Sequence, residues 1–142
     1  MKILIAGANG TTGMHILLKN YQKIHNLQCM AWSGKKNKLG HPILADLGGN
    51  VDKVVDNMKA IIFSAVPGPK TGPDKTTAVD KNRTIILIDA AKMKGIDRFV
   101  MISSDGSDNP QQAQEALRHY LEEKHDADEH LKASGMTYTI VR

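Results

Sequence analysis

A short apolar run near the start of the chain leads directly into glycines set three apart. Lys2-Ile3-Leu4-Ile5-Ala6 is followed by Gly7-Ala8-Asn9-Gly10-Thr11-Thr12-Gly13, and a helical pattern comes next. This order predicts a strand, a tight turn and a helix whose N-terminus faces the turn. The first amides of a helix lack intrahelical partners, and the helix dipole is positive at that end, so such a turn suits an anion. Glycine suits it further, because a side chain would hold a diphosphate away from the backbone. The spacing is G-x-x-G-x-x-G rather than G-x-G-x-x-G, and turns of this kind also join strands to helices that bind nothing. The position after the opening strand favours a nucleotide site.

Strand-like and helix-like segments alternate along the rest of the chain. Strands are predicted over Lys2–Ala6, Leu27–Trp32, Pro42–Ala45, Ala60–Ala65, Arg98–Ser103 and Thr137–Val141. Helices are predicted over Thr12–Gln22, with Met14, Leu17, Leu18 and Tyr21 on one side, and over Val51–Met58, Lys75–Lys94 and Gln111–Ser134. Ile3-Leu4-Ile5-Ala6 and Ala60-Ile61-Ile62-Phe63 are apolar at every position. Strands of that kind lie in a parallel sheet covered on both faces. The predicted fold is therefore α/β, a doubly wound parallel sheet (Rossmann) in three α/β/α layers. Ligands of such sheets bind beyond the strand C-termini, where the loops starting at Gly7, Ser33, Asp46, Ala65 and Ser103 fall.

A length of 142 residues predicts one domain with a single core. No apolar stretch approaches membrane-spanning length, and the opening run is too short for a signal peptide. Cys29 is the only cysteine, which excludes a disulfide framework or a thiolate metal cluster and fits a reducing, cytoplasmic setting. The net charge of +4 is mild. Clustered basic and aromatic faces for nucleic acid are not evident, and anionic small molecules suffice as partners.

Four further positions draw attention. An acid about 20 residues beyond the glycine turn would grip the ribose of NAD. Trp32-Ser33-Gly34-Lys35-Lys36 occupies that region instead. A hydroxyl and lysines suit a 2′-phosphate, favouring NADP with NAD possible; the alternative is a solvated basic loop. Asp46 could accept from an adenine amino group or simply cap a turn. In the last long helix Ala113, Leu117, Tyr120, Ala127, Leu131 and Ser134 follow three- and four-residue steps, and Lys124 falls on the same stripe one turn beyond Tyr120. A nearby ammonium would lower the tyrosine pKa and ready it for proton transfer; alternatively Lys124 snorkels and Tyr120 packs. Ser103-Ser104 could polarise a substrate oxygen or merely start a turn. His125, Glu129 and His130, with His119 beside them, read as a solvated face rather than a metal site.

Together these segments resemble the short-chain dehydrogenase/reductase superfamily, and more closely its atypical NmrA-like branch of NAD(P)-binding flavin and biliverdin reductase-type proteins. The matching pieces are Gly7–Gly13, Ile88-Asp89-Ala90-Ala91, Gly95 through Ser104, Tyr120-x-x-x-Lys124 and Ser134 through Arg142. The resemblance implies that Gly7, Gly10 and Gly13 hold the pyrophosphate, with Asn9, Thr11 and Thr12 lining the turn. It implies Ser33 and Lys35 beside the adenosine ribose and its phosphate, Asp46 and Leu47 by the adenine, and Ala65 and Val66 under the nicotinamide ribose. Ser103 falls on the same edge. Ser104, Tyr120 and Lys124 match the catalytic Ser-Tyr-Lys set, with Lys124 also on the ribose. Ser33 departs from the arginine that many relatives carry there.

Relatives continue past Arg142 into a proline turn and a segment that closes the substrate pocket. The expectation is thus one NAD(P)-binding domain over residues 1–142 without that segment. The expected activity is hydride transfer from a nicotinamide cofactor to a small carbonyl, flavin or quinone acceptor. The alternative is a dinucleotide sensor that binds a partner protein and does not turn over.

Overall fold

A computed structural model describes residues 1–20, 27–31, 41–44, 51–65 and 73–142. In chain order its elements are β1 (Ile3–Ala6), α1 (Thr11–Asn20), β2 (Leu27–Ala31), β3 (His41–Leu44), α2 (Asp52–Val55), β4 (Ala60–Phe63), α3 (Pro73–Met93), β5 (Arg98–Ile102), α4 (Glu115–Ala133) and β6 (Thr137–Val141). The six strands form one sheet in the order β3-β2-β1-β4-β5-β6. Every pairing is parallel. The chain thus winds outward from β1 to β3, returns, and winds the other way from β4. The expected doubly wound architecture is what the chain adopts.

Burial follows from this winding. β1 is covered at all four positions, and β4 at all but the half-buried Ile62. One face packs Leu4, Ile61, Phe63 and Phe99 against Val54 and Val55 of α2, Leu87, Ile88 and Ala91 of α3, and Ala127 and Leu131 of α4. The other face packs Ile3, Ile5 and Ala60 against Leu17, with Met14 and Ile16 beside it. Two apolar layers on opposite sides of the sheet give the three-layer section. β6 is the outer strand on its side, and its residues are mostly exposed.

Several element ends differ from the sequence expectation, each for a local reason. α2 stops at Val55 because Asn57 turns into the left-handed region at φ 61°. α3 ends two residues before Gly95, whose N–H donates to the Lys92 carbonyl at 3.1 Å while Ile96 N–H donates to Ala91 at 3.0 Å. This paired arrangement satisfies carbonyls that a helix end leaves open. α4 starts at Glu115 rather than Gln111, because Pro110–Gln112 forms a separate 3-10 turn. Leu18 and Leu117 were expected on buried faces, but are 58% and 40% exposed. Leu17 is buried as expected, at 0%, and Leu121 takes the inward position on α4, at 6%. The predicted strand ends at Trp32 and Ala45, and Tyr21, lie outside the described residues.

Register carries the site. Ala6 pairs with Phe63, Phe63 with Met101, and Met101 with Ile140. Four strands therefore end at nearly one level, and the residues just past them share one edge. Leu131 underlies this arrangement from α4, fully buried in the larger core layer. Replacing it with alanine should cost about 2–5 kcal/mol through lost contact and a residual cavity. Urea unfolding should read this as a lower midpoint at unchanged m-value.

Candidate functional site: the C-terminal edge of the sheet

The glycine turn sits at the point where the winding reverses, between β1 and β4. Gly7 adopts φ 85°, and a Cβ there would meet the Ala65 backbone nitrogen at 2.5 Å. A Cβ on Gly13 would meet the Gly7 carbonyl oxygen at 2.2 Å and Ser64 Oγ at 2.8 Å. At both positions the protein's own backbone excludes a side chain. Ser64 fastens the same place, its N–H and Oγ both donating to the Ala6 carbonyl at 2.9 and 3.0 Å.

Gly10 differs. Its Cβ would touch only the Gly7 carbonyl oxygen, at 3.3 Å, and the residue is exposed along with Thr11 and Thr12. The Gly10 carbonyl accepts the Met14 amide at 2.9 Å, so the helix begins here. The amides of the following turn have no intrahelical acceptor and point out of the helix end. Gly7 and Gly13 let the turn close, and Gly10 leaves its mouth open. The residues at this turn fit a diphosphate. The expected turn residues Gly7, Asn9, Gly10, Thr11, Thr12 and Gly13 are all gathered here, with Ala65 against Gly7. Ser33, Lys35, Asp46, Leu47 and Val66 lie outside the described residues.

Across the edge, beyond β5, Ser104 lies beside Tyr120 of α4, near enough for its hydroxyl to favour the phenolate. Lys124 Nζ lies 5.9 Å from the centroid of the Tyr120 ring, within reach of a cation–π attraction. The expected Ser-Tyr-Lys set is therefore brought together. Its electrostatics differ from expectation. Burial pushes the Tyr120 phenol above its ordinary value, and the Ser104 hydroxyl offsets this in part. The lysine stands over the ring face rather than accounting for the shift. Tyr120 is thus a neutral phenol through the physiological range, the form that gives a proton.

Ser103, at the same strand edge, is also tied to the protein's interior. Its Oγ donates to Asp128 Oδ2 at 2.9 Å, inside the protein. Ser107 Oγ donates to the same oxygen at 2.9 Å, and Arg142 Nη2 does so at 3.1 Å. Arg142 Nε also donates to Ser107 Oγ at 3.0 Å. Sequence reasoning missed Asp128 and Ser107 and used Arg142 only as part of a longer match. One signal was available: Asp128 lies eight residues beyond Tyr120 and four beyond Lys124, between the apolar Ala127 and Leu131. A carboxylate on that face needs donors.

The helix face read as solvated is partly engaged. His125 Nδ1 donates to the Ser107 carbonyl at 2.8 Å, which sets its tautomer. His130 Nε2 meets Asp89 of α3 at 2.7 Å. Glu129 is exposed, and Lys132 beside it holds its carboxyl below the usual range. Among the described residues no group of three or more His, Cys, Asp or Glu is placed to hold a metal ion.

The place of Ser104 beside Tyr120 has a measurable consequence. Ser104→Ala should push the Tyr120 phenol further up, since the group that favours phenolate is gone while burial remains. The ζ-carbon NMR signal of Tyr120, followed against pH, should show ionisation moving to higher pH than in the unaltered protein.

The profile of the family described as NAD(P)H-binding matches residues 7–142. An uncharacterized sugar epimerase, YhfK of Bacillus subtilis, is 36% identical over 151 residues, spanning all of this chain and 71% of the relative. A putative NAD-dependent epimerase/dehydratase from Bacillus halodurans superposes with a TM-score of 0.92 at 33% identity, covering 100% of this chain and 69% of that one. The oxidoreductase ylbE from Lactococcus lactis gives 0.81 at 25% identity, covering 99% and 67%. With its glycine turn and its Ser-Tyr-Lys set on one sheet edge, the chain belongs to the NAD(P)H-binding family of atypical short-chain dehydrogenase/reductase type.

Proposed function

We propose that the protein is an NAD(P)-dependent oxidoreductase acting at a carbonyl or hydroxyl carbon of a small molecule. The observation that carries this reading is Tyr120 with Lys124 over its ring and Ser104 beside it, at the same strand ends as the open glycine turn. Membership of an NAD(P)H-binding family supports the cofactor. Relatives named as a sugar epimerase and an epimerase/dehydratase support a hydroxyl-rich, sugar-like substrate. Flavin and quinone acceptors remain the other members of the acceptor class.

When bound, the nicotinamide supplies hydride. The chain's own residues do the rest. The turn at Gly10 and the first amides of α1 receive the diphosphate. Ser33 and Lys35 are assigned to a 2′-phosphate, which makes NADP the preferred form. Tyr120 Oη gives a proton to the substrate oxygen as the carbon is reduced, and takes one back in the reverse direction. Ser104 steadies that hydroxyl from beside it. Lys124, over the ring, stabilises the negative charge that proton release leaves on the phenol.

Thermal unfolding with NADPH, NADP⁺, NADH and NAD⁺ tests the cofactor. The phosphorylated forms should stabilise the fold most, by about 2.7 kcal/mol at one hundred times Kd. Gly10→Ala should lose most of that stabilisation, while the unliganded protein loses only about 1 kcal/mol or less. Tyr120→Phe should slow carbonyl-dependent NADPH oxidation by about 10²–10⁴-fold, the range of general acid catalysis. No stabilisation by any of the four would remove the reading. Tight binding without turnover of carbonyls, quinones or flavins would favour a sensor that acts through a partner protein.

A further inference from the structure

Ser104 sits in the middle of a short turn, and both ends of that turn are tied to a single buried carboxylate. Asp128 of α4 is fully buried, and its Oδ2 accepts from Ser103, from Ser107 and from Arg142. Its other oxygen, Oδ1, is buried and makes no hydrogen bond. Every bond of the carboxylate therefore runs through one atom. Arg142 supplies the opposite charge and, through Nε, also holds Ser107 Oγ. A buried carboxylate is retained when donors and a counter-charge converge on it in this way.

The surrounding backbone bonds make the clamp specific to this turn. Ser103 N–H donates to the Val141 carbonyl at 2.7 Å, which joins the ends of β5 and β6. Ser107 N–H donates to the Ser104 carbonyl at 3.2 Å, which folds the turn back on itself. His125 Nδ1 holds the Ser107 carbonyl from the α4 side. Residues 103 and 107 are thus fixed to α4 and to β6, and Ser104 has little room to move between them. Tyr120 lies on the same helix, eight residues before Asp128, about 12 Å along the axis at 1.5 Å per residue. Asp128 is too far away to touch the reacting atoms. Its influence on them passes through the turn.

We infer that Asp128, charge-paired with Arg142, is the positioning residue that holds Ser104 beside Tyr120. The inference rests on the proposed roles of Ser104 and Tyr120, yet it is readable without turnover. It assigns to Ser103 and Ser107 the task of transmitting the position of α4 to the residue between them. Asn at position 128 keeps the size but removes the charge that pairs with Arg142. Its amide nitrogen takes the place of Oδ1, where no acceptor waits, and the remaining oxygen accepts from the three donors without the charge that strengthens those bonds.

The test follows the Tyr120 phenol in a Tyr21→Phe/Tyr138→Phe background, which leaves one tyrosine. Asp128→Asn should move the ionisation of Tyr120 to higher pH, in the same direction as Ser104→Ala and by no more than it. The double variant Ser104→Ala/Asp128→Asn should move it no further than Ser104→Ala alone, because both changes act through the Ser104 hydroxyl. A folded Asp128→Asn protein whose Tyr120 ionises as in the parent, while Ser104→Ala shifts it, would overturn the inference. Should Asp128→Asn fail to fold, Ser107→Ala removes one donor and should give a smaller shift of the same sign; no shift there overturns it equally. With turnover present, Asp128→Asn should lower kcat while KM for NADPH stays within about two-fold. NADPH stabilisation reports separately on the glycine turn. Its absence, with the Asp128→Asn shift intact, would remove the oxidoreductase reading and leave the positioning role standing.

Discussion

No Cβ fits between the end of β1 and the end of β4. Gly7 rests on the backbone of Ala65, and Gly13 rests on the carbonyl of Gly7. This contact of bare backbone on bare backbone lets α1 start directly over the sheet. It also places the start of α1 at the position where the winding changes direction, the one gap in a doubly wound sheet that helices leave uncovered. The apolar layers on either face then fill in around it. A turn one ångström looser would carry α1 away from Ile3 and Ile5, and the helix end away from the strand edge that bears Ser104.

The second half of the site is built on a different principle. Around Asp128 the protein uses charge and hydroxyl groups where the first half uses absence of side chains. Ser103, Ser107 and Arg142 arrive from a strand end, a turn and the residue after the last strand, and meet at one oxygen of a helix. Such a network is rigid when complete, because each donor has a single acceptor and the acceptor lies out of water. The phenol of Tyr120 lies partly buried beside it, and burial keeps its proton in place.

The architecture was legible in the sequence because its strongest signals are local. Ile3–Ala6 and Ala60–Phe63 are apolar at every position, which only a sheet covered on both faces accommodates. The glycines and the Tyr120–Lys124 spacing were legible for the same reason. Element ends were less so. Asn57 in the left-handed region and Pro110 opening a 3-10 turn are decided by tertiary fit, which helical periodicity does not report. The sign of the Tyr120 shift was misjudged because spacing gave the lysine's nearness along the helix and gave neither its place over the ring nor the depth of burial. Asp128 escaped because its three donors come from residues distant in sequence. A carboxylate among charged neighbours reads as solvated until the partners are seen.

The sheet separates these two constructions. The glycine turn and α1 belong to one apolar layer, while Ala127 and Leu131, which flank Asp128 on α4, belong to the other. Only the strand ends connect them. Alterations on α4 and past β5 can therefore reshape the Asp128 network while the packing of the glycine turn stays as it was.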